Sequence, residues 1–226
     1  MNVKKPVLLL VLCVLLLAPS VFANPVVYHA FAFAPAASLG STSYQCDPNT
    51  VCVRVDITFS SDTKFVQPFS ENDAGGMASG FIDFTGQGSV TLDDITTGDS
   101  VSANFLAGQI YVSVDQTNNG IGFGSATGPT YPLGVYSGYP SQPYSTYDLK
   151  SNFSDVAFAW FCPPGVCQLG TAGPALQTDQ GDLSITPTGV TYGFFFANVT
   201  ASTPEPASLM LLGCGWLSLG LARRKK

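Results

Sequence analysis

The sequence predicts an all-β protein: a single β-sandwich domain with jelly-roll-like connections, exported, set between an N-terminal signal peptide and a single C-terminal membrane helix. Three observations carry that expectation. Val51, Val53, Val55, Ile57 and Phe59 alternate with Cys52, Arg54, Asp56 and Thr58, the period of a strand with one buried face. Turn-forming clusters such as Ala74-Gly75-Gly76, Thr97-Gly98-Asp99, Asn118-Asn119-Gly120 and Asp179-Gln180-Gly181-Asp182 punctuate the interior, separating many short apolar runs. No interior window carries the helical period of an amphipathic face. Many short strands bury their apolar faces by packing sheet on sheet.

Residues 1–23 have the order of a signal peptide. Lys4 and Lys5 form a basic start, residues 7–17 are apolar, and Val21 and Ala23 occupy the positions that a signal peptidase reads. Cleavage after Ala23 would make Asn24 the mature N-terminus. The exported domain is then 24–203, one domain's worth of chain and enough to bury a core.

The terminal segments hide how acidic that domain is. The whole chain has a formal charge of −6, but between 24 and 203 only Arg54, Lys64 and Lys150 oppose fourteen Asp and Glu, and three against fourteen leaves −11. Such a charge keeps a protein soluble and repels nucleic acid, which is excluded as a partner.

Cys13 and Cys214 fall in the terminal apolar segments, leaving Cys46, Cys52, Cys162 and Cys167 in the domain. The spacers Asp47-Pro48-Asn49-Thr50 and Pro163-Pro164-Gly165 are turn-formers, favouring the local disulfides Cys46–Cys52 and Cys162–Cys167. A zinc site built from all four is the competing reading, opposed by the spacing and by an oxidising compartment.

Candidate strands fall at 26–33, 51–59, 80–85, 89–95, 101–106, 110–114, 156–160, 183–186 and 190–199. Residues 125–150 interrupt them with Gly, Pro, Ser and the tyrosines Tyr131, Tyr136, Tyr139, Tyr144 and Tyr147. That density of proline predicts a long loop or an edge excursion. The loop either packs its own rings on the sandwich or offers them for stacking on sugars, since tyrosine has an apolar face and a polar tip.

Inventory rules out most catalysis. His29 is the only histidine, so no histidine metal cluster exists. No Gly-x-Ser-x-Gly elbow and no phosphate-cradling glycine loop before a helix occurs. A carboxylate-pair glycoside hydrolase needs only two facing acids, but the adjacent Asp93 and Asp94 point to opposite faces of a strand. The expectation is a non-enzymatic protein without an organic cofactor. Calcium remains a candidate ligand through turn acids, foremost Asp93, Asp94, Asp99, Asp179 and Asp182.

The last segment, 204–226, is an address in three parts. Pro204, Glu205 and Pro206 are followed by an apolar run over 207–222 and then by Arg223, Arg224, Lys225 and Lys226. Sixteen residues make ~24 Å of helix, short of a hydrocarbon core ~30 Å thick. The four cations hold that end on the cytoplasmic side. The order resembles the PEP-CTERM sorting signal of Gram-negative bacteria. By that resemblance an exosortase-type membrane protease or transpeptidase recognises and processes the tail. Anchoring in the inner membrane is then transient, and the destination is the cell surface or extracellular matrix. The resemblance further implies exopolysaccharide-producing, biofilm-type envelopes and proteins that often lack known enzymatic activity. A structural surface protein is therefore the leading expectation, and an exopolysaccharide-binding module using the tyrosine-rich loop is the alternative.

Overall fold

A computed structural model describes residues 24–47, 50–73, 76–117, 119–125, 133–136, 143–160, 176–186 and 191–200. The described chain is all-β and antiparallel, with two short 3-10 turns and no helix long and apolar enough to cross a membrane. In chain order the strands are β1 Pro25–Ala34, β2 Ala36–Leu39, β3 Thr42–Gln45, β4 Val53–Asp62, β5 Gln67–Asp73, β6 Gly76–Asp83, β7 Gln87–Asp94 and β8 Ser100–Asn104. They continue as β9 Ile110–Asp115, β10 Gly120–Ser125, β11 Leu133–Tyr136, β12 Phe153–Trp160, β13 Leu176–Thr178, β14 Gly181–Ile185 and β15 Thr191–Val199.

Eleven strands form one sheet in the order β5-β6-β9-β10-β11-β12-β15-β1-β4-β7-β8, and β13-β14-β2-β3 form a second. Period-two patterning decides which face is buried. On β4, Val53, Val55, Ile57 and Phe59 are fully covered, whereas Arg54, Asp56 and Thr58 between them are not. On β1 the inward set is Val26, Tyr28, Ala30, Ala32 and Ala34. β5 is an edge strand, which is where the missing N–H of Pro68 costs no ladder hydrogen bond.

The large sheet curls until its own inner face meets itself. Phe59 of β4 and Phe123 of β10 lie with ring centroids 6.4 Å apart, although β11, β12, β15 and β1 stand between their strands in the sheet. Phe195 of β15 lies 6.0 Å from Phe123, and Tyr28 touches both Phe59 and Phe195 at 6.3 Å. These rings form the centre of the core. The small sheet covers the other part of that face: Leu39, Leu176 and Leu183 are buried, and Phe105 bridges to Thr178.

Pro35 separates β1 from β2 and turns the chain from the large sheet into the small one. Gly40 then starts the two-residue turn of the β2–β3 hairpin with φ +57°, and a Cβ there would meet the Gln180 carbonyl oxygen at 2.0 Å. Only glycine suits both demands.

The segment 125–150 departs from the expected loop or edge excursion. Leu133–Tyr136 is β11, placed inside the sheet between β10 and β12, not at its edge. Four residues free of proline are enough for that register, and the prolines that argued for a loop lie outside them.

Candidate functional site

The sorting residues Pro204, Glu205, Pro206, Arg223 and Arg224 and the signal segment 1–23 lie outside the described residues, but the structure fixes where the chain reaches them. β15, the last strand, is inserted between β12 and β1. Val199 pairs with Val26, and Thr200 donates its N–H to the Pro25 carbonyl at 2.9 Å. The two ends of the described domain therefore leave it side by side. Each is pinned by a turn. Asn24 and Thr63 exchange hydrogen bonds of 3.2 and 3.0 Å, and Val199 N–H donates to Asn152 Oδ1 at 2.6 Å.

Cys46 and Cys52 are joined by a disulfide with Cα atoms 5.5 Å apart. The bond sits at the corner where the small sheet leaves the large one. Cys46 N–H donates to the Pro35 carbonyl and Cys52 N–H to the Ala34 carbonyl. With two of its four sulfurs bonded to each other, the four-cysteine zinc alternative is removed. Cys162 and Cys167 lie outside the described residues.

Of the five tyrosines expected to stack on sugars, Tyr144 and Tyr147 have described side chains. Tyr131 and Tyr139 lie outside the described residues, and Tyr136 is on β11, paired with Gly120 and Phe158. Tyr144 and Tyr147 follow the self-packing alternative, because both are buried. Their rings pack on Phe153 at 5.5 and 4.4 Å, and Tyr147 donates its hydroxyl to the Ser151 carbonyl at 3.0 Å. Burial, and then the Asp148 charge, push the Tyr147 phenol well above the ordinary tyrosine range. Ring faces occupied in this way are closed to a glycan.

The calcium candidates divide between two turns and act as caps. Asp94 Oδ1 accepts from the N–H groups of Thr96 and Thr97 at 2.8 and 3.3 Å. Asp93 accepts from the Ser100 hydroxyl at 2.6 Å, and Asp99 from the Thr97 hydroxyl at 3.0 Å. The Thr96 backbone N–H is the chief reason that the Asp94 carboxyl titrates below the usual range. Asp179 belongs to the other turn and accepts from the Asn104 side chain and N–H, both at 2.9 Å; those bonds, the side chain's first, lower its pKa as well. Asp182 contributes its backbone carbonyl to Gly40 N–H at 3.0 Å. No three His, Cys, Asp or Glu among the described residues converge to hold a metal ion. His29 lies on β1, hydrogen-bonded to Asp56, which also takes Arg54 at 2.6 Å. That trio packs on the outer aromatic face, with Arg54 over the Phe31 ring at 4.3 Å.

One concavity escaped sequence reasoning. A cleft of about 460 Å³ opens beside Phe84, Gln87, Gly88, Asn104, Phe105 and Leu106. Phe84 and Leu106 each remain 45% exposed at it, and the Phe84 ring leans on Tyr111 at 5.0 Å. Gly88 keeps the floor low, since a Cβ there would meet Ile110 at 2.7 Å. Its lining comes from two separate stretches of chain, 84–88 and 104–110, so no local pattern announces it.

Comparison with known proteins gives one positive finding. No curated protein and no solved structure matches the chain. Residues 202–226 match the family model of the PEP-CTERM protein-sorting motif, beginning two residues after the hydrogen-bonded Thr200. That motif implies export, membrane-associated sorting and an exosortase as the kind of processing partner. The chain thus carries a PEP-CTERM sorting motif directly behind the last strand of an all-β domain.

Proposed function

We propose that this is a non-enzymatic surface or matrix protein, an exported β-sandwich with jelly-roll-like connections that an exosortase releases from the inner membrane of a Gram-negative bacterium. The single observation that carries the reading is the sorting motif at 202–226, placed where the folded domain ends. The domain itself supports a structural role. Asp94 and Asp179 are engaged in holding turns, and its only histidine is tied to Asp56 on a sheet face. The sugar-binding alternative loses Tyr144 and Tyr147 to the core.

The tail acts by its own physics. Its apolar run is marginal for spanning, which suits a transient anchor. Glu205 is held between two prolines whose fixed backbone presents the carboxylate at a set height above the bilayer. Glu205→Gln keeps the shape and removes that charge. In a strain carrying an exosortase, the variant is expected to accumulate with its tail intact in the inner-membrane fraction, while the parent chain leaves it. Equal release of both proteins would remove Glu205 from recognition.

A further inference from the structure

The strands that end beside the sorting motif also gather two of the domain's three basic residues. Lys64 follows Thr63, the residue that holds Asn24, and Lys150 lies two residues before Asn152, which holds Val199. Both lysines are exposed, as is Phe65, 41% accessible with the Lys64 ammonium 4.8 Å from its ring centre. Two acids share the rim: Asp62 Oδ2 pairs with the Lys64 ammonium at 3.6 Å, and Asp148 is half-buried beside Lys150. Asp62 accepts from Lys64 N–H at 3.0 Å and Asp148 from Lys150 N–H at 2.9 Å. Side-chain exposure is 19% for Asp62 against 47% for Lys64.

The opposite end of the same strands is acidic. Val53 and Arg54, at the start of β4, pair with Asp94 and Asp93, and Asp99 lies on the turn beyond. Ten residues of β4 span ~33 Å, about four screening lengths at physiological salt. A surface touching the rim therefore meets two lysines balanced by Asp62 and Asp148, and hardly feels the distant aspartates. Geometry brings such a surface close. Pro204 is four residues beyond Thr200 and can lie no more than ~14 Å from it, and the apolar run begins three residues later.

We propose that this rim, built from the start of β1, the 62–65 turn and the 148–152 turn, is the face the tethered domain turns to the bilayer. Lys64 and Lys150 engage anionic lipid headgroups, and Phe65 enters the headgroup layer. The rim fixes the orientation of an otherwise strongly acidic domain, which a negative membrane would repel at its acidic end. The inference rests on the sorting reading and adds the lipid contact to it.

The test uses the full chain in vesicles of phosphatidylcholine alone and in vesicles enriched in phosphatidylglycerol. A membrane-impermeant amine reagent is followed lysine by lysine by mass spectrometry, with Ile95→Lys, at an exposed position on the acidic end, as internal reference. Lys64 and Lys150 are expected to label roughly five-fold more slowly on the anionic vesicles, with the residue-95 reporter unchanged. Flotation of the chain with the vesicles is scored in parallel. A chain that does not float overturns both the anchor and the rim. One that floats with Lys64 and Lys150 as reactive as on phosphatidylcholine overturns the rim alone. Protection that appears only after exosortase is added to the vesicles assigns the rim to a protein contact and overturns the lipid proposal.

Discussion

At the scale of single residues, the carboxylates hold loops onto strands. Asp179 reaches from the β13–β14 turn to both hydrogen-bond donors of Asn104 at the end of β8, and Asp94 closes the turn after β7. Both carboxyls titrate below the usual range because N–H groups stabilise their charged forms. The unfolded chain therefore takes up protons before the folded one does. The contribution of these groups is complete above the ordinary carboxylate pKa of ~4 and is lost as pH falls through the lower folded value. Asp179→Asn is accordingly expected to lower the melting temperature at neutral pH and to narrow the gap to the parent as the pH approaches 3. Melting curves recorded across that range check it, and a gap that widens with acid would contradict it. Sequence spacing found these residues but not their task. Oxygen-rich turns look alike whether they wait for an ion or accept from their own backbone, and only the distances tell them apart.

At the scale of elements, the corner at Pro35 is the decisive feature. It lets one stretch of chain serve two sheets, and the Cys46–Cys52 bond keeps the end of β3 against the start of β4. A loop this short contributes about 2 kcal/mol through the unfolded state. The double variant Cys46→Ser/Cys52→Ser is expected to lose roughly that amount in denaturant unfolding, with hydrogen exchange rising first in β2 and β3. Uniform loss of protection across both sheets would show that the corner does not fold as a separate unit. The central strands were legible because burial on one face imposes strict alternation, as in β1 and β4. β11 and the β2–β3 hairpin were not. Four-residue strands such as Ala36–Leu39 offer two alternations at most, too few to stand above the surrounding glycine, serine and proline.

At the scale of the whole molecule, the order of strands links folding to sorting. β1 cannot complete its pairing until β15 arrives, and β15 is the last strand before the motif. The domain closes only when nearly all of the chain up to 200 has been exported. This arrangement was invisible in the sequence, since no local signal tells which distant strand fills the gap beside β1. The tail was legible because three chemically distinct parts in fixed order need no tertiary context. The central claim is that the tail is an address removed on delivery, and intact-mass analysis of the protein from separated cell fractions tests it most directly. In a strain that carries an exosortase, the surface or matrix fraction should hold a species lacking residues 207–226. Finding the complete tail on all of the protein, in every fraction of that strain, would contradict the account.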